Sequence, residues 1–169
     1  MKKLSKIVAL LLAGALTMLL FTACGGGGGN YGTRDSEKEA ALFDSVKGGR
    51  QVSAQVSANN PTLCETADRH LKEDLNTDLS IFGMNLIANV HVDGEEGRYL
   101  IITATANYTG GPLSEATLAF LETLVGRKLP GTNVNVKGTG SWIDMGVVVR
   151  NVGTQSYMAV AFKIANPNK

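Results

Sequence analysis

Two stretches near the end of the chain decide its fold: Met145-Gly146-Val147-Val148-Val149-Arg150 and Tyr157-Met158-Ala159-Val160-Ala161-Phe162-Lys163-Ile164. Both are rich in β-branched and aromatic residues, which suit a pleated strand. Asn151-Val152-Gly153-Thr154 separates them with turn-forming residues, so 145–150 and 156–164 read as one β-hairpin. Apolar residues occupy successive positions as well as alternate ones. Strands of that kind are covered on both faces, so this hairpin belongs in the middle of a sheet.

Upstream lies a second hairpin. Leu86 to Val92 and Arg98 to Tyr108 flank Asp93-Gly94-Glu95-Glu96-Gly97, a polar turn. Three helices are expected around the hairpins. In 36–47, Ser36 is the expected cap, Glu37 and Glu39 sit in the first turn, and Leu42, Phe43 and Val46 form an apolar stripe before Gly48-Gly49. In 61–75, Asn60 caps and Pro61 opens a helix whose Leu63, Ala67, Leu71 and Leu75 recur every four residues. In 114–125, Ser114 caps a stripe of Leu118, Leu121, Leu124 and Val125, and Gly126 ends it. The fold class is therefore α+β, an antiparallel sheet with helices packed on it.

The first 35 residues have a different character. Lys2, Lys3 and Lys6 precede an uncharged, mostly apolar run from Ile7 to Phe21. That run fits a signal-peptide core and is short of the roughly 20 residues that cross a bilayer as a helix. Leu20-Phe21-Thr22-Ala23-Cys24 then resembles a lipobox, with Phe21 standing where Leu is usual. The resemblance implies cleavage before Cys24 and modification of Cys24 by a diacylglyceryl, palmitate-class lipid. Two or more acyl chains hold a protein stably on a membrane, where one does so marginally. Gly25 to Gly29 are five consecutive glycines, a flexible composition suited to a tether. The expected organisation is a leader over 1–23, a tether over 24–35 and a single domain over 36–165. The expected location is the extracytoplasmic face of a cell membrane.

Composition removes several classes of function. With 44% hydrophobic and 18% charged residues the chain can build a core. Beyond the leader it carries 13 Lys and Arg against 15 Asp and Glu, a formal charge of −2. That balance offers no footprint for nucleic acid. Cys64 is left without an intrachain partner if Cys24 carries lipid, and its place beside the apolar stripe of 61–75 marks it as a small core residue. His70 and His91 are the only histidines. His70 is expected at the polar edge of its helix and His91 on a strand. With no HExxH or CxxC spacing, the sequence nominates no metal ligands, no cofactor and no tight zinc site. No catalytic residues are nominated either. Gly138-Thr139-Gly140-Ser141 lacks the spacing of a nucleophile elbow. Trp142 and Asp144, ahead of the closing hairpin, form a candidate ligand patch.

Two regions resemble the CAP superfamily, the cysteine-rich secretory, antigen 5 and pathogenesis-related-1 type. One is Leu42 to Asp74, above all Val56-Ser57-Ala58-Asn59-Asn60-Pro61-Thr62-Leu63-Cys64-Glu65-Thr66-Ala67. The other is the closing hairpin. The resemblance implies an α-β-α sandwich in which 114–125 stands as the third helix. It also implies a cavity with two histidines and two acids, but no histidine occurs over Asp74 to Phe82 or over Leu124 to Lys128. The family's glycine-glutamate-asparagine motif is missing too. The expectation is thus a CAP-like domain without that tetrad, acting as a non-catalytic module that binds an envelope protein or small ligand. The alternatives are an envelope hydrolase acting on wall or peptide, and a small substrate-capture lipoprotein.

Overall fold

The computed structural model describes residues 31–48, 52–76, 80–81, 84–85, 87–108, 123, 127 and 140–169. In chain order the elements are β1 (Thr33–Arg34), α1 (Ser36–Gly48), α2 (Pro61–Asn76), β2 (Ser80–Ile81), β3 (Met84–Asn85), β4 (Ala88–Asp93), β5 (Tyr99–Asn107), β6 (Asp144–Val152) and β7 (Gln155–Ala165). Five strands form an antiparallel sheet in the order β1-β6-β7-β5-β4, and β2 pairs separately with β3. The fold is α+β. Among the described residues no helix is long and apolar enough to cross a membrane. The helix expected over 114–125, with Leu118 and Leu121, lies outside the described residues apart from Thr123, which is helical.

The closing hairpin occupies the middle of the sheet, with β7 at its centre. Val147 pairs with Val160, and Val160 pairs in turn with Ala104 on β5. The turn is tighter than the sequence suggested. Val152 still pairs with Gln155, leaving Gly153-Thr154 as a two-residue loop. Gly153 has φ 59°, the left-handed geometry that short hairpin loops require and glycine supplies.

The run Met158-Ala159-Val160-Ala161-Phe162 encodes one bulky face and one thin face. On the bulky face, Val160 and Phe162 join Met145, Val147 and Val149 under Leu42, Phe43 and Val46 of α1. On the thin face, Ala159 and Ala161 join Val148 under Leu63, Cys64, Ala67 and Leu71 of α2. The two helices thus lie on opposite faces. Small residues let α2 approach closely: a Cβ on Gly146 would stand 2.4 Å from the backbone nitrogen of Cys64.

Local chemistry explains the helix ends. Asn60 caps α2, its Oδ1 accepting the Leu63 N–H at 3.1 Å. The cap of α1 is Asp35 rather than the expected Ser36, because Asp35 Oδ1 accepts the Lys38 N–H at 3.0 Å. That backbone bond, with a second from the Asn151 side chain, holds the Asp35 carboxyl down at about 2.

β1 ends at Arg34, so among the described residues most of the outer edge of β6 has no strand neighbour. Side chains and turns satisfy it. Glu39 accepts the Val149 N–H at 3.1 Å while its carboxylate takes both prongs of Arg34, at 2.7 and 2.6 Å. Asn59 donates to the Val147 carbonyl at 3.0 Å and accepts the Val147 N–H at 2.8 Å. Such covering is how proteins protect a sheet edge from pairing with another chain.

Candidate functional site

Two periodicities converge where side chains of α2 meet those of β4. In α2, His70, Glu73 and Asp74 are three and four residues apart and share one side. In β4, Asn89, His91 and Asp93 alternate onto one face. The expected turn included Asp93, but Asp93 ends the strand, paired with Ile101, and the reversal runs over 94–98. His70, expected at the polar edge of its helix, does stand among Arg69, Glu73 and Asp93. It is buried at 5% exposure, because α2 rolls that side onto the sheet.

There His70 and His91 stack, with ring centroids 4.0 Å apart and planes 13° from parallel. A carboxylate meets each ring. His70 Nε2 lies 2.8 Å from Asp93 Oδ2, and its Nδ1 lies 2.8 Å from Glu73 Oε2. His91 Nε2 lies 2.9 Å from Asp74 Oδ2. Asp74 is further fixed by Asn89 at 3.0 Å and by the Thr105 hydroxyl at 2.5 Å. Arg69 reaches Glu73 at 3.5 Å, Asp93 at 3.4 Å and His70 Nε2 at 3.1 Å. Burial pushes the Asp74 carboxyl up, but hydrogen bonds from His91, Thr105 and Asn89 outweigh it and hold the group below the ordinary range. The same contest at Asp93 is won by His70 and Arg69. The outer rim stays open to solvent: the side chains of Glu73 and Asp93 are 51% and 34% exposed.

The patch nominated from sequence is divided by the structure. Trp142 is fully buried and stacks on Phe162 with centroids 3.9 Å apart. Asp144 reaches a groove of about 320 Å³ formed with Ile143 and the 55–61 segment. Its carboxylate is engaged there, accepting from Asn60 Nδ2 at 2.6 Å and from the Met145 N–H at 2.9 Å. It fastens the start of α2 to the start of β6. Cys64 donates its S–H to the Val147 carbonyl at 3.6 Å, and burial pushes its thiol up to about 11, which suits a packing role. Cys24 lies outside the described residues.

The chain matches no known family, no curated protein and no solved structure. The site therefore has to be read from its own chemistry. It unites one buried and one half-buried imidazole, oriented carboxylates and a solvent-facing rim, groups that bind charged or polar ligands.

Proposed function

We propose that this chain is a lipid-anchored protein of the extracytoplasmic cell envelope, acting as a non-catalytic binding module with a CAP-like α-β-α sandwich. The observation that carries the sandwich reading is the central β6–β7 hairpin, with α1 on one face and α2 on the other. The anchoring reading rests on the leader, on Leu20 to Cys24 and on the glycine run. Shortly after the glycine run, the buried Arg150 guanidinium of β6 donates to the Gly32 carbonyl at 2.9 Å. Binding, in this reading, uses the polar rim between α2 and β4, and the partner is an envelope protein or small ligand presented near the membrane.

Membrane fractionation with mass spectrometry of the mature N-terminus tests the anchoring. The expected result is a detergent-extracted protein beginning at lipid-modified Cys24, with Cys24→Ala released or left unprocessed. A mature chain starting elsewhere, or carrying an unmodified Cys24, contradicts it. Turnover of peptide or wall material that vanishes in a His91→Ala variant would replace the binding module with the hydrolase.

A further inference from the structure

The cluster between α2 and β4 brings three carboxylates, Glu73, Asp74 and Asp93, together with two imidazoles and the Arg69 guanidinium. His70 faces a carboxylate oxygen with each ring nitrogen, both at 2.8 Å, and a neutral ring has only one N–H to donate. The imidazole nitrogens and carboxylate oxygens that meet here are good metal ligands. One ligating atom each from His70, Glu73 and His91 lie within 4.8 Å of one another. Each imidazole also has an aspartate on Nε2, Asp93 for His70 and Asp74 for His91. Ligating histidines are typically oriented in this way, one nitrogen on a carboxylate and the other toward the ion. Directly across the ladder from His91 stands Thr103, fully buried, whose hydroxyl has no hydrogen-bond partner among the described residues.

We propose that His70, Glu73 and His91 bind one divalent transition cation, zinc by ligand preference, leaving a coordination position open toward solvent. Asp93 and Asp74 are its positioning residues. Stacked rings cannot aim two lone pairs at one point, so binding turns His91, the more exposed ring, out of the stack and draws in Glu73. The sequence argued against zinc because it offers only two histidines and one thiol beside an apolar stripe, with no HExxH or CxxC spacing, and the histidines stand 21 positions apart. The fold closes that distance. The proposal rests on side-chain geometry alone and stands or falls apart from the lipid anchor and the CAP-like reading.

The test uses the full chain purified in detergent and stripped with a chelator. It is titrated with zinc against a chromophoric chelator, and with cobalt(II) as a spectroscopic reporter. One equivalent is expected to bind, with visible cobalt bands. Glu73→Gln and His91→Ala should each weaken binding about tenfold or more. The Glu95→Ala turn variant should bind like the parent. Circular dichroism of the metal-free variants checks folding, and Glu73, being half exposed, keeps the test open if His91→Ala fails to fold. Absence of stoichiometric binding at micromolar zinc overturns the proposal. So does binding that both variants leave unchanged.

Discussion

Asn59 stands beside Val147 as a strand residue would, giving its Nδ2 hydrogen to the Val147 carbonyl and receiving the Val147 N–H on Oδ1. One amide side chain thus completes both backbone groups of a fully buried edge residue. Asn59→Leu removes both partners at once and leaves them unsatisfied. At about 1–3 kcal/mol for a buried group left unpaired, the expected loss is a large part of a small domain's stability. Chemical denaturation of the variant measures it. A midpoint equal to the parent's would mean the edge of β6 is solvated.

The closeness of α2 to β6 rests on Gly146. A methyl group there meets the backbone of Cys64 and Leu63 at 2.4 and 2.5 Å, and backbone cannot swing aside as a side-chain tip can. Gly146→Ala should therefore cost about 1–3 kcal/mol by overpacking. Gly48→Ala, with open space around it, should not destabilise. Thermal melts of the two variants provide the comparison.

Arg150 and Asp68 form a nearly buried fork, with Nε to Oδ1 at 2.6 Å and Nη2 to Oδ2 at 3.0 Å. Burial pushes the Asp68 carboxyl up, but Arg150 and Lys72 hold it below the ordinary range. Arg150→Leu leaves a mostly buried carboxylate without its two-pronged partner, with Lys72 still beside it, and should cost up to about 3–5 kcal/mol. The double variant Arg150→Leu, Asp68→Leu should recover much of that loss. A double variant as unstable as the single one would contradict this, and urea midpoints decide.

Acid should unfold this domain through its lowered carboxylates. For a group held down in the folded state, the unfolded chain binds more protons as pH falls. Stability is full above the unfolded value near 4 and drains away as pH drops through the folded value, about 2 at Asp35. Asp68, Asp74 and Asp93 shift in the same direction. Asp35→Asn keeps a good cap at neutral pH and removes one titrating group, so its melting temperature should fall less steeply between pH 4 and 2. Identical slopes would mean that Asp35 does not carry this linkage.

Much of the frame is legible in the residues themselves. Leu63, Ala67 and Leu71 mark the buried side of α2 because helical period and chemistry agree there. Val147 to Val149 announce a strand covered on both faces. The cluster is harder to read. His70, Glu73 and Asp74 share a side of α2, and Asn89, His91 and Asp93 share a side of β4, yet neither period says that these sides meet. That depends on where α2 lies on the sheet, a matter of tertiary packing. An imidazole among Arg69, Lys72 and Glu73 reads as the polar edge of its helix, and nothing in that reading says the edge is buried. Asp35 wins the cap of α1 from Ser36 through its bond to the Lys38 N–H, a choice that two adjacent good cappers leave open. Trp142 bears no mark in sequence that separates a ligand patch from a core stack.

The whole account hangs on a closing hairpin enclosed between two helices. Val160 lies at 2% exposure between β5 and β6, so Val160→Asp places an unpaired carboxylate in a dry core. The cost, several kcal/mol, is comparable with the entire stability of a small domain. Glu95 sits exposed in the 94–98 reversal, where Glu95→Ala should be nearly silent. Thermal melts of these two variants beside the parent are the most direct measurement. The account predicts no cooperative transition for Val160→Asp and a parental melt for Glu95→Ala. A Val160→Asp protein that melts like the parent would put β7 at an exposed edge and contradict the architecture from which the site is derived.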